Sequence, residues 1–546
     1  MNSSDRILAS GNEAVALAAR HAGVALGTAY PGTPATEVLE RFSELGGRAQ
    51  WAPNEKVALE VALGAAFGGA SALVPIKHVG LNVAADPLFT AAYTGTTGAL
   101  VIMSGDDPGM ASSQNEQDNR RFAVAAGVPL LEPSDSQEAY DFTRAAVELS
   151  RRWSLPVILR MTTRVCHSKT VVCPHPPIAP PPPVPFGHDL PGRVMIPVYA
   201  RAAHRRLRNK LAEIARWNEQ SDLNHAVEGS RRLGIITSGI SYVHCREAAP
   251  EASVLKLGLT HPLPLGLIRR FVEGVDRAVV IEEGDPCLVE QLGAAGIAVE
   301  GKPEMYRFGE LNVGRVRRIL AGDTSAEPEP ARGKPPELCK GCPHRATFQV
   351  LKKLDCIVPG DIGCYSLGAL PPLEAMDSLV CMGASIGMGL GLRHVLPDAE
   401  ARRVVSIIGD STFVHSGITG LVEMIYNPPA TGHVVVILDN GTTAMTGLQE
   451  HPGTGRTLDH RPTGKVDFER LVRSLGIDNV AVIDPVTEPD RFEQVLSEAL
   501  QSGRLWVLVA RRPCLLAAGK IRQYEQEAQD VTRQNGLCPN LDRQQD

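Results

Sequence analysis

Apolar and polar positions alternate between two rhythms along the chain. Short apolar runs punctuate longer stretches where apolar residues recur every three or four positions. Residues 13–22 carry the longer rhythm and predict a helix. Residues 27–30 read as a short strand that ends in the turn Pro31-Gly32-Thr33-Pro34. A second helix is predicted over 36–45. Glu55 opens an alanine-rich helix, EKVALEVALGAAFGGASA, and the small residues at 64–70 let another backbone come close. Residues 72–76, 99–103, 131 and 157–159 read as strands of a parallel sheet. The stretch 199–228 is polar, charged and helical in character. Apolar runs return at LGIITSG, VLKLGL and AVVIEEG. Further on, the run 404–408 ends at Gly409-Asp410-Ser411. Helical spacing follows from about His415 to Tyr426, and the run 434–438 ends at Asp439-Asn440-Gly441-Thr442. Apolar run, helix, apolar run is the pattern of a βαβ unit, so the expected class is α/β.

Two proline-rich stretches divide this pattern. PHPPIAPPPPVP (174–185) predicts a stiff linker, and GDTSAEPEPARGKPP (322–336) a second one. The expected organisation is a domain over 1–173, a linker over 174–198, a domain over 199–321, a linker over 322–336, a domain over 337–516 and a polar tail over 517–546. The 546 residues suffice for three domains.

Composition removes several classes of function. Lys+Arg 55 against Asp+Glu 61 gives a net charge of −6 with no basic block, so nucleic acid has no electrostatic footprint here. No apolar run is long enough to span a membrane, and MNSSDRILASGNEA lacks a signal peptide's apolar core. Eleven cysteines, an odd number, argue against a disulfide framework. A cytoplasmic enzyme is the expectation.

The candidate chemistry begins at Asp410 and Asn440, both expected at carboxyl ends of adjacent strands, where α/β sheets take ligands. Hard oxygen donors from two strand tips, with one backbone carbonyl, can clamp a magnesium ion that holds phosphates. The loop after Asp410 feeds a helix N-terminus, which favours phosphate oxygen. A strand-ending Asp and a turn-forming Asn-Gly are also common in their own right. The Gly409-Asp410-Ser411 to Asn440 spacing resembles the thiamine diphosphate motif. Under that resemblance Asp410, the Asn440 side chain and the Thr442 carbonyl hold Mg²⁺. Glu55 opens its helix nine residues before Gly64. It is similar to the carboxylate that thiamine enzymes set against the aminopyrimidine ring, with Glu60 as the alternative on the same helix.

Seven runs carry a wider resemblance: AYPGTPATE (29–37), NEKVALEVALGAA (54–66), KHVGLNVAADPL (77–88), LCKGCPHRA (338–346), GDIGCYSLG (360–368), CMGASIGMG (381–389) and TTAMTGLQEHPGTG (442–455). They resemble the large subunit of indolepyruvate ferredoxin oxidoreductase, a thiamine-diphosphate-dependent 2-oxoacid oxidoreductase, from about residue 8 to 516. The resemblance implies three doubly wound α/β domains: pyrimidine-binding, transketolase-C-like and diphosphate-binding. It implies that Gly383, Ala384, Gly409 and Ser411 also line the cofactor. Thr33 resembles the threonine that meets the substrate carboxylate, although a Thr in a Pro-flanked turn also suits a helix start. His78, Asn82 and Asp86 can line the same cavity or be satisfied buried polar groups, the second reading being preferred for Asp86. His344, His415 and His451 fall near the proposed site as proton carriers or phosphate ligands of second rank.

Cys339-Lys340-Gly341-Cys342 is a C-x-x-C that by itself fits zinc, a redox dithiol or neither. With Cys364 and Cys514 it resembles the 4Fe–4S site of these oxidoreductases, with Cys381 competing for the fourth place. Cys166, Cys173, Cys245, Cys287 and Cys356 read as small buried residues. The family's large subunit usually continues into a ferredoxin-like tail. After Cys514 this chain offers only Cys538, so the tail's clusters are expected to be absent, with the outgoing electron relay either supplied by another subunit or lacking. The resemblance implies oxidative decarboxylation of an aryl pyruvate to an acyl-coenzyme A and a small second subunit of beta or gamma type. It also implies electrons leaving to ferredoxin or another carrier, and a homodimer of large subunits within a hetero-oligomer. The alternatives are a non-oxidative thiamine-dependent decarboxylase or carboligase and a regulatory subunit that binds the cofactor without catalysis.

Overall fold

The computed structural model describes residues 6–179, 185–328 and 336–534, with side chains to residue 527. The chain divides into two compact units, Met1–Glu329 and Pro330–Asp546. Parts of both predicted linkers, and residues 535–546 with Cys538, lie outside the described residues. Among the described residues no helix is long and apolar enough to cross a membrane.

The first unit holds a seven-stranded sheet. Its order is Leu259–His261, Leu130–Leu131, Val157–Thr162, Leu100–Asp106, Ala72–Lys77, Leu26–Ala29 and Ala49–Trp51. All neighbours are parallel except the first pair. Helices cover both faces, which is why the central strands read as unbroken apolar runs. Helix Glu55–Phe67 stops at Gly68-Gly69. The backbone that its small residues admit is that of Gly98, whose N–H donates to Ala66 O at 2.8 Å. A Cβ at Gly98 would stand 2.0 Å from Ala70 O.

A second, four-stranded sheet in this unit runs Ala278–Ile281, Ser230–Ser238, Ala252–Leu257 and His225–Val227, the last antiparallel. The expected strand 254–259 is cut at Gly258. Residues before it join the small sheet, and Leu259–His261 crosses to the large one. Only glycine fits at the crossing, since a Cβ there would stand 2.1 Å from Leu223 O. The expected helical stretch 199–228 is a helix over Pro197–Asn218 followed by the strand His225–Val227. That helix buries Leu207, Leu211 and Ile214 in the core of the large sheet. The core therefore does not break at residue 199.

The second unit holds a parallel sheet in the order Val405–Gly409, His433–Asp439, Leu505–Arg511 and Val480–Ile483, with an apolar core on each face. The helix expected from about 415 begins earlier. Helical turns run from Asp410 through a π turn at Phe413–Gly417 into Ile418–Tyr426. The tail is helical over Ala518–Gln534. A two-stranded antiparallel pair, Ile7–Ser10 with Lys169–Val172, completes the first unit; the three larger sheets are layered with helices, so the chain is an α/β protein.

Candidate active site

In the second unit, strands Val405–Gly409 and His433–Asp439 pair with Gly409 opposite Leu438. Asp410 and Asn440 therefore leave the same edge of the sheet side by side, and both are buried. The Asp410 carboxylate ties the two tips together. Its Oδ2 accepts the N–H groups of Asn440 (3.1 Å) and Gly441 (2.7 Å), and Oδ1 accepts that of Ser411 (2.7 Å). His451 Nε2 lies 3.3 Å from Oδ2. Burial alone would raise the pKa of this carboxyl, but His451 and the N–H donors outweigh it and hold the group below its ordinary range.

Asn440 Oδ1 accepts the Thr442 N–H at 3.0 Å, and Nδ2 faces His344 Nε2 at 3.4 Å. Burial pushes His344 down to about 4, so it stands as a neutral imidazole near neutral pH. Thr442 is buried and its hydroxyl donates to Gln449 O at 3.2 Å. The Ser411 hydroxyl accepts from Thr443 at 2.9 Å. His415 is buried in the π turn, 2.6 Å from Ser416 Oγ. A carboxylate, an amide oxygen and a backbone carbonyl gathered at one sheet edge are all hard oxygen donors, which fits a magnesium-held diphosphate.

Two residues that the sequence reading passed over brace this edge. The Tyr365 hydroxyl accepts the Gly409 N–H at 2.9 Å and donates to Ile362 O at 3.1 Å. Asp361 accepts N–H groups from Ile362, Gly383 and Ser385, and burial lifts its pKa to about 6. It caps the helix Ala384–Val395. The Gly383 and Ala384 N–H groups are both committed within the chain, to Asp361 and to Cys381 O. Both residues lie in the run GDIGCYSLG, but nothing local in it marks a cap or a brace.

Cys339, Cys342, Cys364 and Cys514 lie within electrostatic reach of one another. The Cys342 N–H donates to Cys339 O at 3.0 Å, and the loop between them lies against Leu515. Burial, and then the neighbouring thiols of Cys342, Cys514 and Cys339, push Cys364 up to about 11. The Cys514 N–H donates to Asn440 O at 2.9 Å, joining this cluster directly to a strand tip. Exposed Cys381 responds instead to burial and to Asp361. Among the described residues no group of three or more His, Cys, Asp or Glu side chains is set closely enough to hold a single metal ion. Four thiols in one neighbourhood are the donor chemistry of an iron–sulfur cluster. Of the remaining cysteines, 166, 245 and 287 are buried, but Cys173 is exposed and Cys356 half-buried, which corrects the uniform expectation.

In the first unit, Glu55 is buried at the start of its helix, where Asn54 Oδ1 accepts the Val57 N–H at 2.9 Å. Gly80, in the helix His78–Val83, lets that helix close on it. A Cβ there would stand 2.5 Å from Glu55 Oε1. Glu60 is exposed and pairs with Lys56, so the alternative assignment is withdrawn. Thr33 is half-buried in its turn, and its hydroxyl has no hydrogen-bond partner among the described residues. His78 is buried, with Nε2 3.0 Å from Asn115 O. Asn82 is exposed. Asp86 is exposed too, because it faces outward in the first turn of helix Ala85–Thr94, so the buried reading of it is corrected.

Two family models match this chain. Residues 17–178 match the thiamine-diphosphate-binding segment of pyruvate flavodoxin/ferredoxin oxidoreductases. Residues 361–510 match the C-terminal TPP-binding domain of thiamine pyrophosphate enzymes. Together they define a thiamine-diphosphate-dependent oxidoreductase of 2-oxoacids. The chain is 39% identical to indolepyruvate oxidoreductase subunit IorA of Archaeoglobus fulgidus, over 98% of this chain and 91% of that one. It is 40% identical to IorA of Methanothermobacter thermautotrophicus, over 95% and 88%. The chain belongs to the IorA family of indolepyruvate oxidoreductase subunits. Among solved structures, a 2-oxoglutarate:ferredoxin oxidoreductase from Magnetococcus marinus shares the fold, with a TM-score of 0.50 and 19% identity over 59% of this chain and 65% of that one.

Proposed function

We propose that this chain carries out the oxidative decarboxylation of an aryl pyruvate, of the indolepyruvate type, to an acyl-coenzyme A, with electrons leaving through a 4Fe–4S cluster on Cys339, Cys342, Cys364 and Cys514. Thiamine diphosphate, when bound, supplies the nucleophilic carbon and the electron sink for the departing carboxylate. Asp410, the Asn440 side chain and the Thr442 carbonyl are the Mg²⁺ ligands. The residues around them, Gly409, Ser411, Gly383 and Ala384, shape the diphosphate site. The buried Glu55 carboxylate accepts a hydrogen bond from the aminopyrimidine and sets its protonation. The Thr33 hydroxyl donates to the substrate. Residues 1–173 form the pyrimidine-binding domain and 337–516 the diphosphate-binding domain. The expected partners are a small second subunit, a further copy of this chain and ferredoxin or another one-electron carrier, in the cytoplasm.

The observation that carries this reading is the bond from the Cys514 N–H to Asn440 O. It puts a cluster-ligand candidate one backbone hydrogen bond from a magnesium-ligand candidate, a short path for electrons. Iron and acid-labile sulfide, measured on protein purified without oxygen, test it. About four iron per chain are expected. Cys514→Ser should lose them and Cys381→Ser should keep them. Iron-free protein that still binds thiamine diphosphate would overturn the electron path and favour a non-oxidative decarboxylase.

A further inference from the structure

We propose that Lys77 is the cation that receives the carboxylate of the 2-oxoacid, an inference that rests on the substrate class read above. Lys77 ends the strand Ala72–Lys77, at the carboxyl edge where parallel sheets take ligands. Its stem lies along the Gly32–Thr33 turn. A Cβ at Gly32 would stand 2.9 Å from Lys77 Cβ, 3.8 Å from Cγ and 3.7 Å from Cδ. Three residues on, Gly80 touches the Glu55 carboxylate. Lys77 therefore packs on the glycine next to Thr33 and lies three residues before the glycine that meets Glu55.

The charges around it make the same point. The groups acting electrostatically on Lys77 are the carboxyls of Asp107 and Glu55. Asp107 already accepts the Ser112 N–H (2.9 Å) and the hydroxyls of Ser113 (2.6 Å) and Thr163 (3.0 Å). A 2-oxoacid brings a further carboxylate into this acidic surrounding, and an anion enters such a site only against a cation. The ammonium donates to Ser112 O at 2.6 Å, and a lysine carries three N–H donors. Two remain for a carboxylate, beside a Thr33 hydroxyl with no partner among the described residues. Lys77 is half-buried with its stem packed on the turn, an arrangement that fixes a charge at a pocket wall.

The test is equilibrium binding of two unreactive probes, 3-phenylpropionate and its uncharged carboxamide, to the holoenzyme loaded with thiamine diphosphate and Mg²⁺. The wild type should prefer the acid. Lys77→Gln should lose about 10- to 100-fold of that preference while binding the amide and thiamine diphosphate as before. Lys77→Arg should retain most of it. In turnover, Lys77→Gln should raise KM for the 2-oxoacid more than it lowers kcat. Lys77→Met, of similar length, repeats the measurement if the Gln variant does not fold. An unchanged preference in either uncharged variant would overturn the assignment of Lys77 alone. A wild type that binds acid and amide equally would overturn the carboxylate site altogether.

Discussion

A single carboxylate organises the diphosphate edge of this protein. Asp410 accepts three backbone N–H groups from two strand tips and faces His451. Replacing it by Asn substitutes an NH₂ for one acceptor, so donor faces donor and a buried N–H loses its partner, at a cost of about 1–3 kcal/mol. Asp410→Asn is therefore expected to weaken magnesium-dependent thiamine diphosphate binding at least about tenfold and to lower the melting temperature. Cofactor titration at fixed Mg²⁺ and a thermal melt check both. An unaltered cofactor affinity would remove Asp410 from the magnesium site. The residue types at this edge were legible, because an Asp and an Asn at successive strand tips announce hard-oxygen chemistry. The braces Asp361 and Tyr365 were not, since a capping carboxylate and a buried hydroxyl have no local pattern of their own.

At the level of elements, the helix Glu55–Phe67 and the short helix His78–Val83 meet at a residue with no side chain. Gly80 admits the Glu55 carboxylate, and a methyl there would collide with its Oε1, with its Cγ and with Ile76 Cγ2. A long side chain can swing aside more readily than backbone can, so the fold should tolerate the change better than the chemistry does. Gly80→Ala is expected to lower turnover at least about tenfold, since small misplacements of a reacting group are costly, while the melting temperature falls by only a few degrees. Parallel losses of fold and activity would make Gly80 a packing residue only. Most helices and strands were legible as periods of apolar residues. The exceptions have local causes. Gly258 lets one apolar run serve two sheets, and the π turn at Phe413–Gly417 starts a helix earlier than its apolar spacing begins.

Across the first unit, buried charge at Arg120 joins the seven-stranded and four-stranded sheets. Arg120 pairs with Asp118 (2.6 Å) and Glu282 (2.5 Å), and also donates to Glu283 O and Asp285 O. Arg160 pairs with Asp106 and Glu132, each at 2.6 Å. Glu283 lies behind Arg120. Burial raises its pKa from 4.5 to about 7, with Lys302 and the Leu311 N–H opposing. The folded protein holds this proton more tightly than the unfolded chain does. The stabilisation is thus complete below about pH 4.5 and lost as pH rises through about 7. Lys302, lowered to about 8 by burial, runs the other way and loses its contribution as pH falls through about 8, outside the first window. Between about pH 5 and 7 the wild type should therefore lose stability relative to Glu283→Gln, on the order of 1–3 kcal/mol. Melting curves across that range check it, and parallel slopes for the two proteins would contradict the raised pKa.

The sequence by itself determined the layered α/β class, the strand tips carrying Asp410 and Asn440 and the helix opened by Glu55. These depend on local periodicity and on residue type, which a linear chain displays. Tertiary structure decided what no window of sequence contains. It set Cys514 against Asn440, Gly80 against Glu55 and Lys77 along the Gly32–Thr33 turn. It also exposed Glu60 and Asp86 and moved Leu259–His261 into another sheet. Each of these follows from which distant backbones approach closely enough to exclude a side chain, and that is settled only when the sheets assemble.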